Sequence, residues 1–518
     1  MAHTRIEPTA ATANLDALQP AVEHRLAQLA RENVVSRIWA KDHTVWKPEP
    51  TEIANRLEWL TVASAMRGHV SELAAFGEEI AREGITAVVL LGMGGSSLAP
   101  EVIRATLGRA SGYPELNVLD STDPRQIAAV EAAVDRADAL FVVASKSGGT
   151  IETRSHFDYF WDKLSEPARY VAITDAGSAL ETLALGRGIR RIFLNPAGIG
   201  GRYSALSLFG LVPAALIGDD LGRLLDGAEA MMDACREEVV ENNPGAWLGV
   251  VLGEAALAGR DKLTLVLPPE FASLGGWIEQ LVAESTGKEG RGIVPIVGEA
   301  LGGREHYGTD RIFVAMADDP GLAALEVAGH PVVRLPYASP YQLGAEFFRW
   351  EFATAIAGRV LGVQPFDQPN VQEAKEATAA ILAGGRPDLT APPLTDVLAS
   401  VRPGDYIAIT AYLPRDAETV ASLDPLRLRL RDRYRVATTV GFGPRFLHST
   451  GQLHKGGANT GVFIQLVSDD PADLPIPGQR FTFRQLRDAQ ADGDLAALTQ
   501  HGRRVTRVRL EELRSALE

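Results

Sequence analysis

Ala87-Val88-Val89-Leu90-Leu91-Gly92-Met93-Gly94-Gly95-Ser96-Ser97-Leu98-Ala99-Pro100 is a short apolar run that passes straight into glycines and serines. Helical texture follows from Leu98 through Glu101. An unbroken apolar strand is buried on both faces, as in a mostly parallel sheet covered by helices. Glycines after such a strand allow a tight turn and leave backbone N–H groups facing outward, with a helix N-terminus behind them. The segment lacks the Gly-x-x-x-x-Gly-Lys-Ser/Thr spacing, and its glycines do not fit Gly-x-Gly-x-x-Gly. It reads either as a structural turn or as an anion site of another kind.

Working outward, further short apolar runs stand at Leu140–Ala144, Tyr170–Thr174 and Arg191–Leu194, separated by helix-like segments. The alternation restarts at Lys262–Leu267, Gly292–Val297, Arg311–Met316 and Val332–Leu335, after an Asn-Asn-Pro-Gly turn at 242–245. Past a glycine- and proline-containing linker, strands are expected at Tyr406–Thr410, Val436–Val440, Val462–Val467 and Val505–Leu510. Helices are expected over residues 13–42, Arg223–Val240, Gln342–Val360 and Phe483–Leu498 from their i, i+3, i+4 apolar spacing. The pattern predicts two α/β lobes, the second assembled from both sides of the Gly384–Pro393 linker.

A second loop changes the weight of the first. Leu140–Ala144 ends in Ser145-Lys146-Ser147-Gly148-Gly149-Thr150, which sets hydroxyls and a lysine at one strand end before a helix. Hydroxyls and backbone N–H groups suit a phosphate monoester. The bland alternative is a solvated lysine and ordinary helix caps. Two such loops at the carboxyl ends of strands favour a ligand site, because open α/β sheets bind there.

Arg202 emerges from the Gly200-Gly201 pair and could hold developing negative charge, or equally an interdomain salt bridge. Gln280 and Glu284 are four apart on one helix face, and Glu284 is either a proton-shuttling carboxylate or a surface partner of Lys288. Lys375 stands on the second turn of a helix opening at Asn370 or Val371. His448 and His454 lie among glycines in Leu447–Gly457, and histidine is the neutral-pH acid/base. Neither convincing metal-ligand spacing nor a Gly-x-Ser-x-Gly elbow is present.

Composition narrows the classes. The 518 residues carry 51 basic and 66 acidic side chains, a net charge of -15, the wrong sign for a protein whose main partner is nucleic acid. A single cysteine, Cys235, excludes intrachain disulfides and cysteine-rich metal centres. The opening residues lack the apolar core of a signal peptide, and no apolar run is long enough to span a bilayer, so a cytoplasmic location is expected.

Taken together, these motifs resemble the glucose-6-phosphate isomerase family, most closely the isomerase part of bacterial transaldolase/glucose-6-phosphate isomerase enzymes. The likeness runs from about residue 50 onward. The first lobe begins near residue 75, which leaves no room in this chain for a preceding transaldolase module, so isomerase activity alone is expected. The resemblance implies two sugar-isomerase (SIS) three-layer αβα domains with mostly parallel sheets, behind an N-terminal helical segment. The expected boundaries are 1–74 for that segment, 75–245 for the first domain, 246–480 for the second with a linker at 384–403, and 481–518 for a helix/strand tail.

It further implies reversible aldose–ketose conversion of a small-molecule sugar phosphate, glucose 6-phosphate to fructose 6-phosphate, in a homodimer, with no redox cofactor and no obligatory metal, and without nucleic acid or membrane. By the resemblance, Gly94, Gly95 and Ser96 form a first sugar-phosphate loop, and Ser145, Lys146, Ser147 and Thr150 grip the phosphate. Glu284, with Gln280 before it, is the base, Arg202 steadies the intermediate, and Lys375 ends the signature Asp367–Lys375. That signature carries Asn370 and Gln372 where Gly and Glu are usual, and Gly148-Gly149 replaces the Phe/Thr residues of many members. The segment His448-Ser-Thr-Gly-Gln452 follows Lys375 rather than preceding it. Ring opening therefore falls to His448, with His454 its neighbour, or to another histidine such as His306.

Overall fold

A computed structural model describes residues 11–385, 387 and 389–518, so the expected N-terminal segment is described from its eleventh residue, and Arg386 and Asp388 of the linker lie outside the described residues. The chain is α/β, with mainly parallel sheets flanked by helices and a helical stretch at the N-terminus. The first sheet contains β2 (Ala87–Gly92), β3 (Glu115–Leu119), β4 (Ala139–Ala144), β5 (Tyr170–Asp175) and β6 (Arg191–Asn195), in the order β3-β2-β4-β5-β6 and all parallel. The quoted run is thus a central strand, and every residue of β2 and β4 is buried.

The second region forms two hydrogen-bonded sheets. One joins β7 (Lys262–Val266), β8 (Val294–Ile296), β9 (Arg311–Ala315) and β10 (Val332–Arg334), with β1 (Thr12–Asn14) antiparallel on its edge, in the order β1-β10-β9-β7-β8. The other joins β11 (Tyr406–Tyr412), β12 (Ala437–Phe442), β13 (Gly461–Val467) and β14 (Arg504–Val508), in the order β12-β11-β13-β14. In all three sheets the earliest parallel strand lies between the second and the third, a shared topology that residue identities alone do not reveal. The two later sheets meet at β8 and β12, where buried Arg427 donates to Val297 O (2.8 Å) and Thr438 O (2.6 Å) in place of main-chain pairing.

Some expectations are corrected. Residues 13–42 do not form one helix: Thr12–Asn14 is a strand, and helices run over Gln19–Arg31 and Val34–Trp39. Asp16 (φ 47°) and Asn33 (φ 51°) stand in left-handed conformations that interrupt helical winding. Glu115–Leu119 is a strand that apolar texture does not announce, because it is an edge with Glu115 exposed. The stretch expected as linker contains a helix, Leu394–Ala399, whose Leu394, Val397 and Leu398 pack into the core of the third sheet.

Helices Leu221–Ala234, Pro244–Leu257, Leu274–Thr286 and Leu343–Leu361 contribute to one large apolar core, which also takes in one face of the first sheet. The helix Phe483–Gln500 reaches back, placing Phe483 and Leu486 against the opposite face of the first sheet while Leu495 and Leu498 join β8, β11 and β13. This packing carries the late part of the chain to the carboxyl ends of β2 and β4. There the site is built.

Candidate active site

Gly94, Gly95, Ser96, Ser145, Lys146, Ser147, Thr150, Arg202, Gln280, Glu284, Lys375 and His448 all line one cavity of about 590 Å³. These twelve nominated residues are therefore brought together, whereas His306 and His454 are not among them. The loop after β2 turns at Gly94 (φ 53°), where a side chain would press on His448 and the Gln280 amide. In the loop after β4, Gly148 N–H donates to Ser145 Oγ (3.1 Å) and Gly149 N–H to Ser147 Oγ (3.2 Å). Each serine oxygen accepts from its own loop, which leaves its O–H able to donate to a ligand. Lys146 is less free than expected: Nζ pairs with Asp175 and donates to Ala197 O (2.9 Å).

Arg202 is almost wholly buried, and its fork is fully used. Nε donates to Ser285 Oγ (2.8 Å), Nη1 to Gln368 Oε1 (2.9 Å), and Nη2 to the carbonyls of Pro365 (2.7 Å) and Asp367 (2.8 Å). Nη1 also stands 3.5 Å from Glu284 Oε1. Gln280 Nε2 donates to Glu284 Oε2 (3.1 Å) and to the His448 carbonyl (2.8 Å). The bland pairing of Glu284 with Lys288 is not realised. Lys288 instead donates to Asp367 Oδ1 and to the carbonyls of Asp367 and Gln364, each at 2.6 Å. Burial, reinforced by the Arg202 charge, pulls the Lys288 ammonium down to about 7, although Asp367 opposes the change.

Glu152 is the residue the sequence reading missed. His448 Nε2 meets Glu152 Oε1 at 2.9 Å, and Gln490 Nε2 donates to the same oxygen at 2.7 Å. Burial would raise this carboxyl, but the His448 charge and hydrogen bond, with the charge of Lys375, overcome it and hold Glu152 at about 2. An imidazole against a buried carboxylate is oriented and stabilised when protonated. In sequence, Glu152 looks like a first-turn acid complementing the dipole of helix Ile151–Lys163. Only the late arrival of His448 gives it another task.

His448 closes the short turn Arg445–His448 after β12. Gln452 holds the following helix in place by donating to Gly287 O (3.0 Å) and Asn370 Oδ1 (2.8 Å) while accepting from Asn370 N–H (2.8 Å). The unusual Asn370 is thus a partner of the histidine segment, and Gln372 is exposed and bonded to Glu376. A buried Lys455–Asp494 pair at 2.6 Å ties the same helix to Phe483–Gln500. Gly287 is dictated by close approach, since a Cβ there would collide with the Leu453 backbone. His454 packs buried against Phe446 and Phe463 rather than lining the cavity, and burial drives its imidazole well below the ordinary value. His306 pairs with Asp432 (3.0 Å) and does not line the cavity.

A second chamber of about 400 Å³ adjoins the first and shares Thr150, Val371, Lys375 and His448 with it. Among the described residues, no three or more His, Cys, Asp or Glu side chains are grouped to hold a metal ion. No described helix is long and apolar enough to cross a membrane.

The phosphoglucose isomerase family profile matches residues 58–293, the stretch that holds both hydroxyl-rich loops, Arg202 and Glu284. Over that stretch, a little under half of the chain, the sequence is similar to the phosphoglucose isomerase family. The chain is 31% identical over 357 residues to a glucose-6-phosphate isomerase of Thermosynechococcus vestitus, covering 58% of this chain and 66% of that one. It is 28% identical over 388 residues to that of Rubrobacter xylanophilus, covering 62% and 88%. Among solved structures, a hypothetical protein from Thermus thermophilus superposes with a TM-score of 0.61 at 25% identity, over 72% of this chain and 100% of that one. A glucose-6-phosphate isomerase from Chlamydia trachomatis shares the fold, with a TM-score of 0.56 at 22% identity, over 71% and 85%. These relatives carry the isomerase name alone and lend nothing to the expected closeness to transaldolase-linked enzymes.

Proposed function

We propose that the protein interconverts glucose 6-phosphate and fructose 6-phosphate. The observation that carries this reading is the placement of Glu284 beside Arg202 in the cavity that also holds the hydroxyl-rich loops and His448. The Ser145–Thr150 loop takes the phosphate, and binding energy spent there orients the distant reacting carbons. His448, oriented by Glu152, exchanges the ring proton with assistance from Lys375, so that the closed sugar opens. Glu284 then removes the C2 proton and returns it to C1 through a cis-enediolate. The Arg202 guanidinium, beside Glu284, stabilises the negative charge that develops. The carbon-bound proton moves from C2 to C1 and a hydroxyl proton from O2 to O1, so C1 is reduced as C2 is oxidised and no redox cofactor is consumed.

Family relationship supports a sugar-phosphate isomerase in general, and the relatives' names support the glucose 6-phosphate reading. The deciding experiment is a coupled assay of the purified protein with fructose 6-phosphate and, separately, with mannose 6-phosphate. Turnover of the first alone is expected. Turnover of both makes it a dual phosphoglucose/phosphomannose isomerase. Binding without turnover of either makes it a sugar-phosphate-binding regulator.

A further inference from the structure

The phosphate end of the cavity has an electrostatic imbalance. Lys146 is the cation the loop itself supplies, yet its charge is already matched by Asp175 and its Nζ also serves Ala197 O. Asp175 lines the same cavity, its carboxyl is raised by burial against the pull of Lys146, and its Oδ1 is buried without a hydrogen-bond partner. A phosphate dianion brought here would meet a lysine of reduced net charge beside a carboxylate. The second cation on this wall is Arg56, from a turn in the N-terminal segment rather than from the sheet.

Arg56 lines the cavity with Ser145, Lys146, Ser147 and Asp175, and its side chain is 19% exposed. The segment carrying it is fastened to the loop before Arg202. Leu57 bridges Ile199, Glu58 N–H donates to Gly198 O (3.1 Å), and Gly198 N–H donates to Glu58 Oε2 (3.1 Å). Arg56 Nη2 pairs with Glu52 (2.7 Å, 40% exposed) and Nη1 donates to the Asn55 carbonyl (3.2 Å). Glu52, the exposed end of this pair, is a weaker competitor for the guanidinium than a bound phosphate dianion would be. A guanidinium prefers the bidentate geometry of a phosphate.

Resting on the sugar-phosphate reading above, we propose that Arg56 is a phosphate-recognition residue of this site, and that it replaces the charge Lys146 has committed to Asp175. The N-terminal stretch then forms part of the binding site rather than a structural wrapper.

The test is binding of inorganic phosphate, followed by isothermal titration, to the parent protein, Arg56→Gln and Arg56→Lys, alongside KM and kcat for fructose 6-phosphate. Loss of a charged hydrogen bond predicts that Arg56→Gln weakens phosphate about tenfold or more. KM should rise by a similar factor, kcat should stay within about threefold, and Arg56→Lys should recover part of the loss. Unchanged thermal melting of the variants separates this from a folding defect. Phosphate affinity within about twofold of the parent in Arg56→Gln, absence of phosphate binding by the parent, or a fall in kcat with phosphate binding intact would each overturn the proposal. If the parent binds phosphate but isomerises nothing, the proposed reaction fails while the Arg56 comparison still decides this one.

Discussion

Replacing Glu152 with glutamine leaves the size of the side chain and an acceptor for Gln490, but removes the charge that faces His448 and Lys375. In the folded chain this carboxyl sits at about 2 against an ordinary 4.5, so folding favours its ionised form. A depressed carboxyl contributes stability that is present in full above its unfolded value, and that is lost as pH falls toward the folded one. At about 1.4 kcal/mol per unit the difference amounts to roughly 3 kcal/mol near neutral pH. Glutamine resembles the protonated acid. Glu152→Gln should therefore be less stable than the parent by about that amount near pH 7, and the gap should shrink by about 1.4 kcal/mol once the pH reaches about 3.5. Urea unfolding of both proteins across that range measures the gap directly, and turnover on cyclic substrate should fall in the same variant. A gap that stays constant with pH, or one below about 0.5 kcal/mol at neutrality, would refute the argument that His448 and Glu152 act as a charged pair.

Glu284→Gln should lower turnover by at least ~100-fold while keeping most of the sugar-phosphate binding, as expected for loss of a general base; single-turnover kinetics with binding measured by titration checks this. Gly287→Ala forces a methyl group into the Leu453 backbone and should cost about 1–3 kcal/mol of stability. Because that contact seats the His448 segment, thermal melting and kcat should fall together. All twelve nominated residues come from one chain, so specific activity per chain should stay constant on dilution through any monomer–oligomer equilibrium; a concentration-dependent loss would count against a self-contained site.

The sequence made the strands that carry the site legible because they are apolar along their whole length, as in β2 and β4, where both faces are covered. It was silent about β3, an edge with polar residues, and about β1, three exposed residues that form a strand only because β10 offers a free edge. Chemistry was legible where residue type and spacing coincide, as in Ser145–Thr150 and Gln280–Glu284. Glu152 was not, because its role depends on a histidine almost 300 positions away that reaches it through a separate sheet. Arg56 escaped for a similar reason, since a single arginine outside any motif carries no mark of the wall it lines. The late position of His448 is answered by topology: β12 delivers it to the cavity, and Gln452, Asn370 and Gly287 dock the turn that follows.

The Gln280 amide holds the carboxylate of Glu284 with one of its hydrogens and the carbonyl of His448 with the other. Ring opening and proton transfer happen at different atoms of the sugar, yet the two groups assigned to them take their alignment from a single nitrogen. The bridge opposes drift of the helix Leu274–Thr286, which carries Glu284, against the histidine turn, and so holds the separation of the two groups. Sequential steps can thus share one bound pose: a sugar placed well for opening is already placed well for the transfer that follows, without a rearrangement between them.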